Sequence, residues 1–138
     1  MNGADEVRLY LDTSVIVSLI EGTSDLKSRI WAEVSRFGGD EVTFVCTPLT
    51  RLECLVKPLR TADIDLQDLY ERYFSASEVR MVEIGTAVWD QATHIRARYG
   101  FRVPDALHLA TAVTHGCSVI VTRDAQWRRF GEGRVEII

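Results

Sequence analysis

The sequence predicts an α/β domain with a mainly parallel sheet covered by helices on both faces. Two observations carry this. Short apolar, β-rich runs alternate with longer stretches of helical period along the whole chain. The run Ser118-Val119-Ile120-Val121-Thr122 is also continuously apolar at its centre, as in a strand buried on both faces. The 138 residues fit one domain, 1–138, with 1–6 expected as a polar tail.

Val7 to Leu11 reads as the first strand, followed by a helix from Ser14 to Glu21. A second helix is predicted over Asp25 to Phe37, with Leu26, Ile30, Trp31 and Val34 on one stripe and Gly38-Gly39 ending it. Val42 to Cys46 is the next strand. Thr47-Pro48 then opens a helix, with threonine as cap and proline at the first helical position, and Pro58 marks its end. Asp65 to Phe74 carries Leu66, Leu69, Tyr70 and Tyr73 at helical spacing. Val79 to Ile84 reads as a strand and Thr86 to Tyr99 as a helix. Pro104 opens a helix over Asp105 to His115, which Gly116 caps. After the apolar strand come a short helical segment, Gln126 to Phe130, and a last strand, Val135 to Ile138.

Composition narrows the function classes. At 46% hydrophobic and 26% charged, the chain is an ordinary globular domain and not a disordered one. The N-terminus lacks the basic start and apolar run of a secretory signal, and no apolar stretch approaches the ~20 residues that span a bilayer. The expected location is cytoplasmic. Cys46, Cys54 and Cys117 have no zinc-ligand spacing and read as small buried hydrophobes of a reducing compartment. His94, His108 and His115 show no metal or triad pattern and read as plain helix residues. The net charge of −4 does not announce a nucleic-acid binder, but setting aside four candidate site acids leaves 16 acidic against 16 basic residues.

Those four acids are Asp12, Glu53, Asp105 and Asp124. Each has a plain structural explanation. Asp12, Thr13 or Ser14 can cap a helix, Asp105 suits a helix's first turn, and Asp124 can cap a turn. Glu53 can close a capping box with Thr50. With Thr47 as the cap instead, Leu49, Leu52, Glu53 and Val56 share a face, which sets a carboxylate in an apolar stripe. Their joint placement favours a site. In a parallel sheet, the strand-to-helix turns emerge at one edge, where ligands bind. Asp12 and Asp124 follow strands, and Glu53 lies early in the helix after a strand. Asp105 opens the helix that leads to the strand before Asp124. Clustered carboxylates repel and so invite a hard cation such as Mg²⁺ or Mn²⁺, which can activate water against a phosphodiester.

At Leu11-Asp12-Thr13-Ser14, Leu52-Glu53, Pro104-Asp105-Ala106-Leu107-His108-Leu109-Ala110-Thr111-Ala112 and Val121-Thr122-Arg123-Asp124, the sequence resembles the PIN-domain nucleases. It is especially similar to the VapC-type toxins of toxin–antitoxin pairs. The likeness runs from Leu9 to the last strand. It implies a three-layer α/β/α fold with a five-stranded sheet ordered 3-2-1-4-5. It also implies a metal-dependent endoribonuclease that cuts tRNA, rRNA or other RNA and so blocks translation. Asp12, Glu53, Asp105 and Asp124 would be the catalytic, metal-binding acids, holding Mg²⁺ or Mn²⁺, with Thr13, Ser14 and Thr122 supporting them through hydrogen bonds. A cognate antitoxin and a homodimer are further implications. Arg123 stands where many members carry asparagine.

Arg51 and Arg123 adjoin the proposed site and are the preferred RNA contacts among Arg51, Lys57, Arg60, Arg102, Arg123, Arg128 and Arg129. Trp127 and Phe101 read as core or dimer packing, with stacking on bases as the alternative. An aspartate-nucleophile phosphatase would want Asp-x-Asp after the first strand, and a phosphate receiver an aspartate after the third; neither is present. The competing readings that survive are a PIN-like module that binds RNA or a partner without cutting, and a housekeeping RNA-processing nuclease.

Overall fold

A computed structural model describes residues 6–39 and 41–138. Residues 1–5 of the expected tail lie outside the described residues, while Glu6 already belongs to the sheet. The elements run β1 (Glu6–Leu11), α1 (Thr13–Glu21), α2 (Ser24–Ser35), β2 (Glu41–Cys46), α3 (Pro48–Arg60), α4 (Ile64–Ser75), β3 (Val79–Met81), α5 (Thr86–Tyr99), α6 (Val103–Thr114), β4 (Val119–Thr122) and β5 (Val135–Ile137), with a 3-10 turn at Ala125–Arg129 before β5.

The strands form one sheet ordered β3-β2-β1-β4-β5, and every pairing is parallel. This is the three-layer arrangement and strand order that the resemblance implied. Alternation along the central strands explains the layering. Leu9, Leu11, Phe44, Val119 and Val121 pack with Val15, Ile16, Ile30, Val34, Cys54, Leu55 and Tyr70, all from α1 to α4. Tyr10, Val45 and Ile120 face the other way, onto Val88, Ala92 and Ile95 of α5 and Ala106 to Ala112 of α6. With both faces covered, the three inner strands can be apolar nearly throughout.

Several local expectations are corrected. The α3 helix runs past Pro58 to Arg60. A proline ring removes one hydrogen bond and costs about 3 kcal/mol in a helix interior. Here only a partial turn follows it, the ring is buried, and its carbonyl accepts from Asp63 N–H at 2.9 Å and Gln67 Nε2 at 3.1 Å. The β3 strand stops at Met81 instead of Ile84, after Val82 N–H reaches Cys46 O at 2.8 Å. On α2, Ile30 and Val34 are buried, whereas Trp31 is half exposed. The apolar stripe read on α3 is also wrong. Thr50, Cys54, Leu55 and Pro58 face inward, while Leu52, Val56 and Leu59 are exposed. The helix carries two apolar stripes, and helical period alone does not say which one meets the sheet.

Candidate functional site

The carboxyl ends of β1 and β4 lie side by side, with Asp12 N–H continuing the ladder onto Val121 O at 2.9 Å. Asp12 therefore sits at the end of the central strand, only 8% exposed, and caps α1 by accepting from Thr13 N–H at 2.8 Å. Capping does not exhaust its hydrogen bonding. The other carboxylate oxygen, Oδ2, accepts from Ser14 Oγ at 2.9 Å and from Thr122 Oγ1 at 2.8 Å. The Thr122 hydroxyl in turn accepts from Asp124 N–H at 3.0 Å. One threonine at the end of β4 thus joins the first acid to the backbone of the last.

Glu53 enters from α3. The helix is started by a capping box between Thr47 and Thr50, so the alternative box involving Glu53 is not formed. Its Oε1 instead accepts from Thr13 Oγ1 at 2.7 Å and from His108 Nε2 at 2.7 Å. Thr13 therefore bridges Asp12 and Glu53, using its N–H on one and its hydroxyl on the other. No described residue donates to Glu53 Oε2.

Asp105 and Asp124 make no side-chain hydrogen bond to Asp12 or Glu53 among the described residues. The Asp105 side chain is mostly buried in the first turn of α6, with Arg102 Nε 3.5 Å from Oδ2. Asp124 caps the 3-10 turn, accepting from Gln126 N–H at 2.9 Å. Both helix-end explanations hold; Asp124 is also tied to the network through its N–H on Thr122, whereas Asp105 has no hydrogen bond to it among the described residues.

The electrostatics separate the two inner acids. Burial pushes the Asp12 carboxyl above its ordinary value, against the attraction of His108 and the hydrogen bonds from Thr122, Ser14 and Thr13. Burial also opposes ionisation of Glu53. There the hydrogen bond and charge of His108, the Thr13 hydroxyl and the Arg102 charge outweigh it and hold the carboxyl below its usual range. A buried carboxylate that ionises against desolvation gains most from a nearby cation.

An oxygen-only donor set of carboxylates and hydroxyls suits a hard divalent ion. Among the described residues, no three His, Cys, Asp or Glu side chains converge to hold a metal ion unaided. Mg²⁺ fits such a site, because it keeps several waters and needs only one or two carboxylates from the protein.

A family model for the PIN domain matches residues 9–133. The chain belongs to the PIN domain family. No curated protein matches it in sequence. Several solved structures are similar in shape and distant in sequence. VapBC2 from Rickettsia felis, bound to a DNA fragment from their promoter, matches with TM-score 0.76 and 12% identity over 95% of this chain and 98% of that one. DNA-bound VapBC from Salmonella typhimurium gives 0.70 and 17% over 95% and 98%. VapBC-5 from Mycobacterium tuberculosis gives 0.62 and 21% over 96% and 98%. At these identities the likeness speaks for the fold.

In this PIN domain one residue departs from the sequence reading. His108, read as a plain helix residue, is 2% exposed and bonded to Glu53. Its signal was available: it lies three residues after Asp105, on the same helix face. Trp127 and Phe101 are buried and cannot stack on bases. The preferred RNA contacts are already engaged. Arg51 pairs with Glu71 through two hydrogen bonds of 3.1 and 2.7 Å, and Arg123 Nη1 donates to Ser18 Oγ at 2.8 Å. At the position where many relatives have asparagine, Arg123 also donates its N–H to Ser14 Oγ at 3.2 Å, which keeps the loop tied to the Asp12 network.

Proposed function

We propose that this PIN domain is a metal-dependent endoribonuclease of the VapC type, with Asp12, Glu53, Asp105 and Asp124 as its catalytic acids. The observation that carries the reading is Thr13, which links the buried Asp12 to Glu53 across 40 residues of sequence at the sheet edge. Caps alone would not require that link.

Asp12 and Glu53 would hold the Mg²⁺ or Mn²⁺, with Asp105 and Asp124 completing its surroundings through direct or water-mediated contact. Once bound, the ion would supply Lewis acidity, activating water and offsetting charge on the cleaved phosphodiester. Thr13, Ser14 and Thr122 keep the inner carboxylates aimed. Arg102, whose side chain is largely exposed beside Asp105, is well placed to meet an RNA phosphate. Arg51 and Arg123 would have to leave their present partners to do the same.

The VapBC structures similar in fold support a cognate antitoxin as partner. No described helix is long and apolar enough to cross a membrane. The exposed Leu52, Val56 and Leu59 of α3 offer apolar surface for a protein partner, whether the antitoxin or a second copy in a homodimer.

A PIN-like module that binds without cutting is favoured by one observation, the lack of three converging ligands among the described residues. The purified chain decides between the readings. Cleavage of tRNA or rRNA with Mg²⁺ or Mn²⁺, abolished by EDTA and by Asp12→Asn, supports the nuclease. Retained RNA binding with no metal-dependent cutting supports the module. Equal cutting by the Asp12→Asn protein refutes the assigned site.

A further inference from the structure

We propose that His108 is a positioning residue for Glu53, holding one carboxylate oxygen so that the other is left free for the cation. The inference rests on the metal-site reading above and deepens it.

The imidazole is buried among the α6 residues that pack against the sheet, and both ring nitrogens are engaged. Nε2 lies 2.7 Å from Glu53 Oε1, and Nδ1 lies 2.6 Å from the hydroxyl of Tyr10, which is itself fully buried on β1. An ionised carboxylate can only accept, so Nε2 carries a hydrogen. A neutral ring then accepts from the Tyr10 hydroxyl at Nδ1, and a protonated ring donates from Nδ1 to the Tyr10 oxygen; Nε2 donates to Glu53 in both. Burial pushes the Tyr10 phenol above its ordinary range, so its O–H is retained. The ring also stands edge-on to Tyr10, with centroids 5.7 Å apart, and 6.1 Å from Trp127. Little freedom is left to it.

Glu53 is partly solvent-exposed, and a glutamate side chain loses rotamer freedom when it is ordered. Thr13 and His108 complete that ordering on folding. Both act on Oε1, and Oε2 has no described donor. The chain Tyr10–His108–Glu53 thus links the core of the α5–α6 layer to the one inner acid that comes from the opposite layer.

The test is a titration of the full chain with Mn²⁺, following free ion by electron paramagnetic resonance, for His108→Leu, His108→Gln, Tyr10→Phe, Glu53→Gln and the Glu53→Gln/His108→Leu pair. Loss of a group that orients a ligand is expected to weaken Mn²⁺ binding about 10- to 100-fold in His108→Leu. His108→Gln, whose amide can present an N–H to Glu53, recovers most of it. In the Glu53→Gln background, His108→Leu adds no further loss, because the effect passes through Glu53.

Unchanged Mn²⁺ affinity in a folded His108→Leu protein overturns the assignment. So does an equal loss with and without Glu53, which would mark a merely structural role. Should His108→Leu not fold, a folded Tyr10→Phe protein with weakened Mn²⁺ binding sustains the assignment, and one with wild-type binding overturns it. A wild-type chain that binds no Mn²⁺ removes the metal site itself, and the role of His108 with it.

Discussion

Thr122 Oγ1 donates to Asp12 Oδ2 at 2.8 Å across 110 residues of sequence. The two meet because β1 and β4 pair in parallel at the centre of the sheet, so their carboxyl ends finish at the same level. That one bond holds the first acid at the strand end and, through the Thr122 oxygen, the loop that carries Asp124.

Thr122→Val keeps shape but removes the donor to Asp12 and the acceptor for Asp124 N–H. Unpairing a buried group costs about 1–3 kcal/mol, so urea denaturation should show a loss in that range. RNA cleavage should fall further than stability explains, about 10- to 100-fold in rate, as for other groups that orient a metal ligand. A stability loss with full cleavage would show that Thr122 serves the fold alone.

Thr13→Val separates the two bonds that threonine makes. The backbone cap on Asp12 survives, while the hydroxyl to Glu53 is lost. The melting temperature of the metal-free protein should barely move, because Glu53 keeps His108 and some contact with water. The Mn²⁺ needed for half-maximal cleavage should rise about tenfold or more. An unchanged metal requirement would break the link proposed between Asp12 and Glu53.

Asp12→Asn removes a buried charge whose ionisation burial opposes. Without metal, the variant should therefore melt at or above the wild-type temperature, even though cleavage is lost. Excess Mn²⁺ at about 100 times its dissociation constant should stabilise the wild type by about 2.7 kcal/mol and the variant far less. Differential scanning calorimetry with and without Mn²⁺ measures both. Equal stabilisation of the two proteins would place the ion elsewhere.

The cysteines predict an alkaline limit. Burial pushes the Cys46, Cys54 and Cys117 thiols from an ordinary 9.0 to about 12. The folded chain keeps these protons where the unfolded chain loses them, so their stabilising contribution is complete below pH 9.0 and falls as pH rises toward 12. Urea midpoints should decline above pH 9.0, and iodoacetamide should label the native protein slowly until it unfolds. Fast labelling of Cys46 or Cys54 at pH 8, near one unit below that ordinary value, would contradict their burial.

Much of this molecule was readable from local pattern. Apolar runs and cap residues located every strand and helix, with boundary shifts at Pro58 and Met81, because helix starts and strand alternation depend on neighbours within a few residues. Asp12 and Asp124 were marked by their place just after strands, and the hydroxyls of Thr13, Ser14 and Thr122 by adjacency to them. These hydroxyls donate to Glu53 and Asp12. Leu52, Val56 and Trp31 were misplaced for the complementary reason. Periodicity identifies an apolar face but not which neighbour covers it.

The sequence by itself determined an α/β alternation, the acids at strand ends and the family to which they belong, since each follows from short-range spacing. Tertiary structure alone decided that His108 turns a buried nitrogen to Glu53, 55 residues away, while Tyr10 holds its other side. A hydrogen-bond partner is chosen by proximity in space, and three elements must first pack in two layers around one sheet before those atoms can meet.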